Sequence, residues 1–183
     1  MSEHINVSKL DAAKRQIEVA IELFLSNKDV VSIHTLTAAS HTILKDLCNK
    51  HRKESLIKDT MTKLVKPEMK KRWLKMLNGA ENFFKHAERD PGGVIKFYLE
   101  QTEWFIWDVC FMYLQLTKEA TSMMKIFNVW FLSKHPDCLM DQKLVSFLKK
   151  QIQHLNIDYK NRLEFLELLS CAHEIRSIEY KID

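Results

Sequence analysis

Glycine and proline are almost missing from this chain, with three of each in 183 residues. A sheet protein of this length needs many tight turns, and those two residues supply most of them, so their scarcity points to long helices. The four cysteines (Cys48, Cys110, Cys138 and Cys171) are widely spaced and form no CxxC pair, which excludes a disulfide or zinc framework. Cys48, Cys110 and Cys171 fall in apolar helical stretches and read as small buried hydrophobes. No apolar run reaches the length of a membrane span. The most apolar stretch, EWFIWDVCFMYLQL, is short and interrupted by Asp108. The opening MSEHINVSKLD lacks the basic-then-apolar pattern of a secretion signal. A glycine-rich phosphate loop, GxSxG, HExxH and catalytic carboxylate pairs at a recognisable spacing are also missing. These absences lead to the expectation of a reduced, soluble, cytoplasmic protein that needs no cofactor, holds no metal and does not enter a membrane.

What is present is ample apolar material, 46% of residues. The length suits one domain over residues 1–183, burying roughly 70% of its extended-chain surface. The net charge of +4 is uneven. Residues 50–75 hold ten Lys or Arg against three acids, so the rest of the chain sums to about −3. Such a segment, with Trp73 inside it, suits an anionic partner, although lysine-rich faces on soluble proteins are commonly just solvated.

Periodicity predicts an all-α bundle of six to seven helices. The first runs from about Lys9 to Leu25 behind Ser8 as cap, with Leu10, Ala13, Ile17, Ala20, Ile21 and Phe24 on one face. The second ends near Cys48, its inward stripe being Ile33, Leu36, Ser40, Ile43, Leu44 and Leu47. The polar NKHRKESLIKDTMTKLV reads as a loop with a short helix in it. Pro67 suits the first turn of a third helix, whose core face is Trp73, Leu77, Ala80 and Phe84 and which RDPGG stops. VIKFYLEQ reads as an extended connector. Thr102 then caps a fourth helix to about Leu116, and further helices follow over about 118–134, 141–154 and 158–177.

The chemistry-bearing residues gather in two places. In SIHTLTAASH, His34 and His41 are seven apart, so they stand roughly 20° apart around the helix, at or beyond the edge of the apolar stripe. In NFFKHAERDPGG, Asn82 and His86 are four apart, and Asn78, Lys85 and Arg89 lie on the same side, opposite the core face. Phe83 sits outside the main stripe, and Asp90 closes the segment in an Asx-type turn. A polar face opposite a core face is what any amphipathic helix shows. Yet His86 is a group that exchanges protons near neutrality, Asn82 could orient it, and Lys85 or Arg89 could stabilise phosphate charge. That set suits metal-independent phosphodiester cleavage. His34, His41 and Asp90 complete a candidate ligand-binding set.

The stretches LDAAKRQIEVAIELF, DVVSIHTLTAASHTILKDL and NFFKHAERDP resemble a group of short bacterial proteins with no assigned activity, over about the first 110 residues. That resemblance implies an all-α fold and supplies no catalytic residues. A weaker resemblance is to HEPN domains, helical bundles that include metal-independent RNases. Asn82 and His86 match the last two positions of their arginine–polar–histidine motif. Glu81 stands where the motif has arginine, so the cation would have to come from Lys85 or Arg89. Two functions follow. One is a helical binding protein whose exposed aromatics (Phe83, Trp104 or Trp107) or basic stretch meet a protein or anionic ligand, or a second copy of the chain. The alternative is a HEPN-like endoribonuclease acting on RNA through His86 and Asn82.

Overall fold

Helix starts and stops are set by side chains rather than by glycine. Ser8 caps the first helix, α1 (Lys9–Leu25), in a reciprocal box with Asp11: its hydroxyl accepts from the Asp11 N–H at 3.1 Å, and Asp11 accepts from the Ser8 N–H and hydroxyl. Asp29 starts α2 (Val30–Lys50) by accepting from the Ser32 N–H at 2.7 Å. The short link between them makes α1 and α2 an antiparallel hairpin, as the spacing predicts. The computed structural model describes residues 4–136, 146, 150, 153–154 and 158–170. The protein is an all-α helical bundle.

Residues 50–66 resolve the ambiguity of their sequence in an unusual way. After a loop, Leu56–Met61 forms a π-helix capped by Ser55, and a single α-turn, α3 (Thr62–Leu64), follows. Pro67 opens a 3₁₀ turn that runs into α4 (Lys70–Lys85). Residues 94–98 form neither helix nor strand, whereas residues 99–101, expected in the same extended connector, are helical. The next helix, α5 (Leu99–Thr117), begins one turn earlier than Thr102 suggests, with Tyr98 at its cap position. Thr102 lies inside the helix and is buried. After α6 (Ser122–Lys134), capped by Thr121, the next helix described is α7 (Arg162–Ser170). The expected helix at 141–154, Cys138, and everything after Ser170, including Cys171, lie outside the described residues.

The core sits around α5. Its buried residues (Thr102, Glu103, Phe105, Ile106, Asp108, Val109, Cys110, Met112 and Tyr113) cover about 220° of its circumference, and Trp104, Trp107, Phe111 and Leu114 on the remaining side are half-buried. Ala13, Ile17, Ile21 and Leu25 of α1, Ile33 and Leu44 of α2, and Phe127, Trp130 and Phe131 of α6 close on it. Trp104 and Trp107, exposed on a sequence reading, are built into this core. Trp107 stacks on Phe131 with ring centroids 5.0 Å apart, and Trp104 meets Phe131 edge-on at 4.9 Å. Both indoles are half-buried. Phe83 is half-buried with its ring against Phe84.

With so few glycines, helix ends fall on residues that dislike them. Asn27, Arg52 and Lys118 all take a left-handed backbone, Lys118 at φ 63° as the end of α5. Meanwhile Gly79 occupies the interior of α4, with nothing within 4 Å of the space a Cβ would fill and no positive φ. Gly79→Ala and Lys118→Gly are therefore each expected to stabilise the protein, by about 0.5–1 kcal/mol for the first and several tenths for the second. Urea unfolding midpoints check both, and a destabilised Gly79→Ala would mean that α4 bends there.

Candidate functional site

A buried carboxylate on α5 joins three parts of the chain. Asp108 is fully buried, and four hydrogen bonds converge on it. Ser55 Oγ donates to Oδ2 at 2.7 Å, the Leu56 N–H to Oδ1 at 2.8 Å, the Ile57 N–H to Oδ2 at 3.4 Å, and His41 Nε2 to Oδ2 at 2.9 Å. An ionised carboxylate only accepts, so Nε2 of His41 carries the hydrogen. Asp108 thus stands at the N-terminus of the π-helix, where the helix dipole and open N–H groups favour a negative charge. Nδ1 of His41 is left buried with no partner in the chain.

Two turns earlier on α2, His34 is equally buried, its Nδ1 3.1 Å from the Thr102 hydroxyl and its Nε2 without a partner. The rings of Phe97, Phe105 and Phe84 surround it at 4.9, 5.5 and 5.9 Å. Phe105 lies against His41 as well, at 5.2 Å. Both imidazoles therefore face α5 across a shared aromatic wall. Their expected place at the edge of the stripe is corrected: α2 is packed on two sides, and the histidines fill the second. Burial drives His34 down to about 4, outweighing the attraction of Glu81. Burial likewise lowers His41, against the upward pull of its bond to Asp108. Both are neutral at pH 7.

Beside them Lys58 of the π-helix is nearly covered and lies 3.6 Å from Glu81, its ammonium 5.3 Å from the Phe105 ring centre. Burial lowers it below the ordinary lysine range while Glu81 pulls the other way. Burial works to raise Glu81, but the Lys85 hydrogen bond at 2.7 Å and the charge of Lys58 together hold it below the usual carboxylate range.

Around the other side of α5, Glu103 is also buried. It takes both oxygens to Lys134 (2.7 and 2.8 Å), one to His135 at 3.2 Å, and faces Arg162 at 3.8 Å. The Arg162 guanidinium lies 4.0 Å from the Phe24 ring centre, so this cluster ties α5, α6 and α7 to α1. Neither Asp108 nor Glu103 stands out as a site residue on a sequence reading. The signal is nevertheless there: an acid inside a run as apolar as EWFIWDVCFMYLQL must be paired or be functional.

The residues of NFFKHAERDPGG lie elsewhere. Asn82 is exposed on α4, Lys85 is exposed and bonded to Glu81, and His86 is half-buried at the end of α4, its N–H donating to the Asn82 carbonyl at 3.1 Å. Arg89 and Asp90 are exposed beyond it. Asp90 closes its turn through its backbone carbonyl, which accepts from the Gly93 N–H at 2.8 Å. Among the described residues no hydrogen bond or ring contact joins His86 or Asn82 to either α2 histidine, and no group of three His, Cys, Asp or Glu is arranged to hold a metal. The link between the two regions is Phe84, on the inward face of α4 against His34. Compared with models of protein families, with curated proteins and with solved structures, the chain matches none.

The Asp108 network makes two predictions. Asp108→Ala leaves a buried imidazole, a hydroxyl and two N–H groups without their acceptor and should cost about 3–5 kcal/mol, read as a fall in urea midpoint; Asp108→Asn should cost less. The second concerns pH. A histidine whose folded value is depressed binds protons more readily when unfolded, so its contribution is full above about 6.5 and is lost as pH falls toward about 4. Unfolding free energy should therefore fall through that window by up to about 1.4 kcal/mol per pH unit from His34, and the lowered His41 acts in the same direction. His34→Phe should flatten the slope; an unchanged slope would mean that His34 titrates normally.

Proposed function

We propose that this protein works by binding, and that the outward face of α4 is its docking surface for an anionic partner. Lys71, Arg72 and Lys75 are exposed there and make no ion pair among the described residues. That unneutralised charge is the observation that carries the reading. The one acid within α4, Glu81, faces inward and is taken up by Lys58 and Lys85, while Glu68 and Glu88 stand beyond the two ends of the helix. Elsewhere in the basic segment Lys63 pairs with Glu54, Lys53 donates to the Gln115 carbonyl and Asp59 is taken up by Lys45 at 3.0 Å, while Lys50, Arg52, Lys66 and Lys70 make no ion pair among the described residues. Asn82, Lys85, His86 and Arg89 extend the same face toward the end of the helix, which keeps the polar segment around His86 within the proposed surface.

The experiment is retention on immobilised heparin, a general polyanion, with increasing salt. Wild type should elute well above physiological ionic strength, and Lys71→Glu/Arg72→Glu/Lys75→Glu should lose that retention while keeping its unfolding midpoint. Early elution of the wild type would overturn the proposal. Incubation with mixed RNA in metal-free buffer separates binding from cleavage: wild type and His86→Ala should leave the RNA equally intact. Cleavage by wild type alone would establish the nuclease reading instead.

A further inference from the structure

We infer that the anionic partner is duplex DNA, and that α4 enters its major groove; this rests on the binding role proposed for α4. Leu77 and Ala80 of its sixteen residues are buried and seven more are half-buried, Asn78 and Gly79 among them, while Lys71, Arg72, Lys75 and Asn82 stand exposed. Lys71, Lys75, Asn78 and Asn82 follow one another at steps of four, three and four. They form one outward stripe about 16 Å long, with Arg72 beside it. The middle of the helix at Gly79 has no side chain, which lets a surface approach the backbone there.

The chemistry of the stripe selects among polyanions. A lipid surface needs an apolar face turned outward, and the apolar face of α4 (Trp73, Leu77, Ala80 and Phe84) is turned into the protein. Leu74 and Met76 are exposed, but they stand about 160° apart around the axis and make no common face. Single-stranded nucleic acid needs exposed rings for base stacking. Trp73 instead donates its indole N–H to Thr62 Oγ1 at 2.9 Å, and Phe84 is packed on His34 and Phe97. What remains is cations for phosphates and two side-chain amides, Asn78 and Asn82, that make no hydrogen bond among the described residues. Asparagine pairs with adenine edges in a groove about 12 Å wide, which admits a helix; the deep, narrow major groove of duplex RNA does not. An acidic protein surface would satisfy the cations but has less use for two free amides continuing the same stripe.

Fluorescence anisotropy of the full chain tests this, using labelled duplex DNA of about 20 base pairs, duplex RNA and single-stranded DNA of the same sequence, and poly-glutamate. Duplex DNA should bind at least about tenfold tighter than the other three. In Lys71→Ala/Arg72→Ala/Lys75→Ala the log–log salt dependence should become shallower by about 0.9 for each removed cation that had neutralised a phosphate. Asn82→Ala should weaken DNA binding with the slope unchanged, since an amide releases no counterion. All four substituted positions are exposed, and circular dichroism checks that the fold persists. Equal or tighter binding of duplex RNA or single strands overturns the groove assignment, and preference for poly-glutamate overturns DNA in favour of an acidic protein; both leave the anionic-partner reading standing. DNA binding that survives removal of the three cations overturns the α4 site. Failure to bind any of the four probes overturns both proposals.

Discussion

Asp108 is the constraint on which the π-helical segment, the α2–α5 packing and the orientation of the His41 ring all depend. A carboxylate with no exposure to water is tolerable only when its charge is met by donors. Here the donors come from two other parts of the chain: the Ser55 hydroxyl with the Leu56 and Ile57 amides, and the His41 ring. Each would be costly to bury alone. Together they fix where residues 55–57 sit against α5, and that placement carries Lys58 into its position between Glu81 and the Phe105 ring. The π-helix is held at both ends, its start to α5 through Asp108 and Thr62 beyond its far end to Trp73.

The helices are legible in the sequence wherever a single apolar stripe tells the whole story. α1 is bounded at Lys9 and Leu25 as its periodicity and Ser8 predict, because it buries one face and carries its own cap. α2 shows where that method stops. Its apolar stripe is real, and Ile33, Ser40 and Leu44 are buried. A second stripe of His34, Thr37, Ala38, His41 and Cys48 is also buried, because α5 covers it. Periodicity weighs side chains by hydropathy, so a face filled with histidine and small residues reads as an edge. Thr37 satisfies its hydroxyl on the Ile33 carbonyl of its own helix, which makes it easy to bury and invisible to the pattern.

The candidate site is only partly legible, for a related reason. Pairing the α2 histidines with Asn82 and His86 requires two polar helix faces to meet, yet the two helices meet through Phe84 instead. His34 and His41 find their polar partners on α5, in Thr102 and Asp108. Neither residue advertises itself as a partner: in the sequence Thr102 reads as a helix cap and Asp108 as an interruption in an apolar run. The sequence does mark Asn82, Lys85 and Arg89 as lying opposite the core face, and the structure leaves them exposed there.

Burial and surface charge are connected through α4. Glu81 is the one acid within that helix, and it is drawn inward by Lys58, which is itself held in place by the segment that Asp108 anchors. Turned inward, Glu81 neutralises the nearly covered Lys58 and also takes Lys85 one turn along the helix. Lys71, Arg72 and Lys75 lie six to ten residues away, where α4 carries no acid to offset them. A change that disturbs the Asp108 anchor should therefore reach Glu81, and the charge at its end of α4, through Lys58.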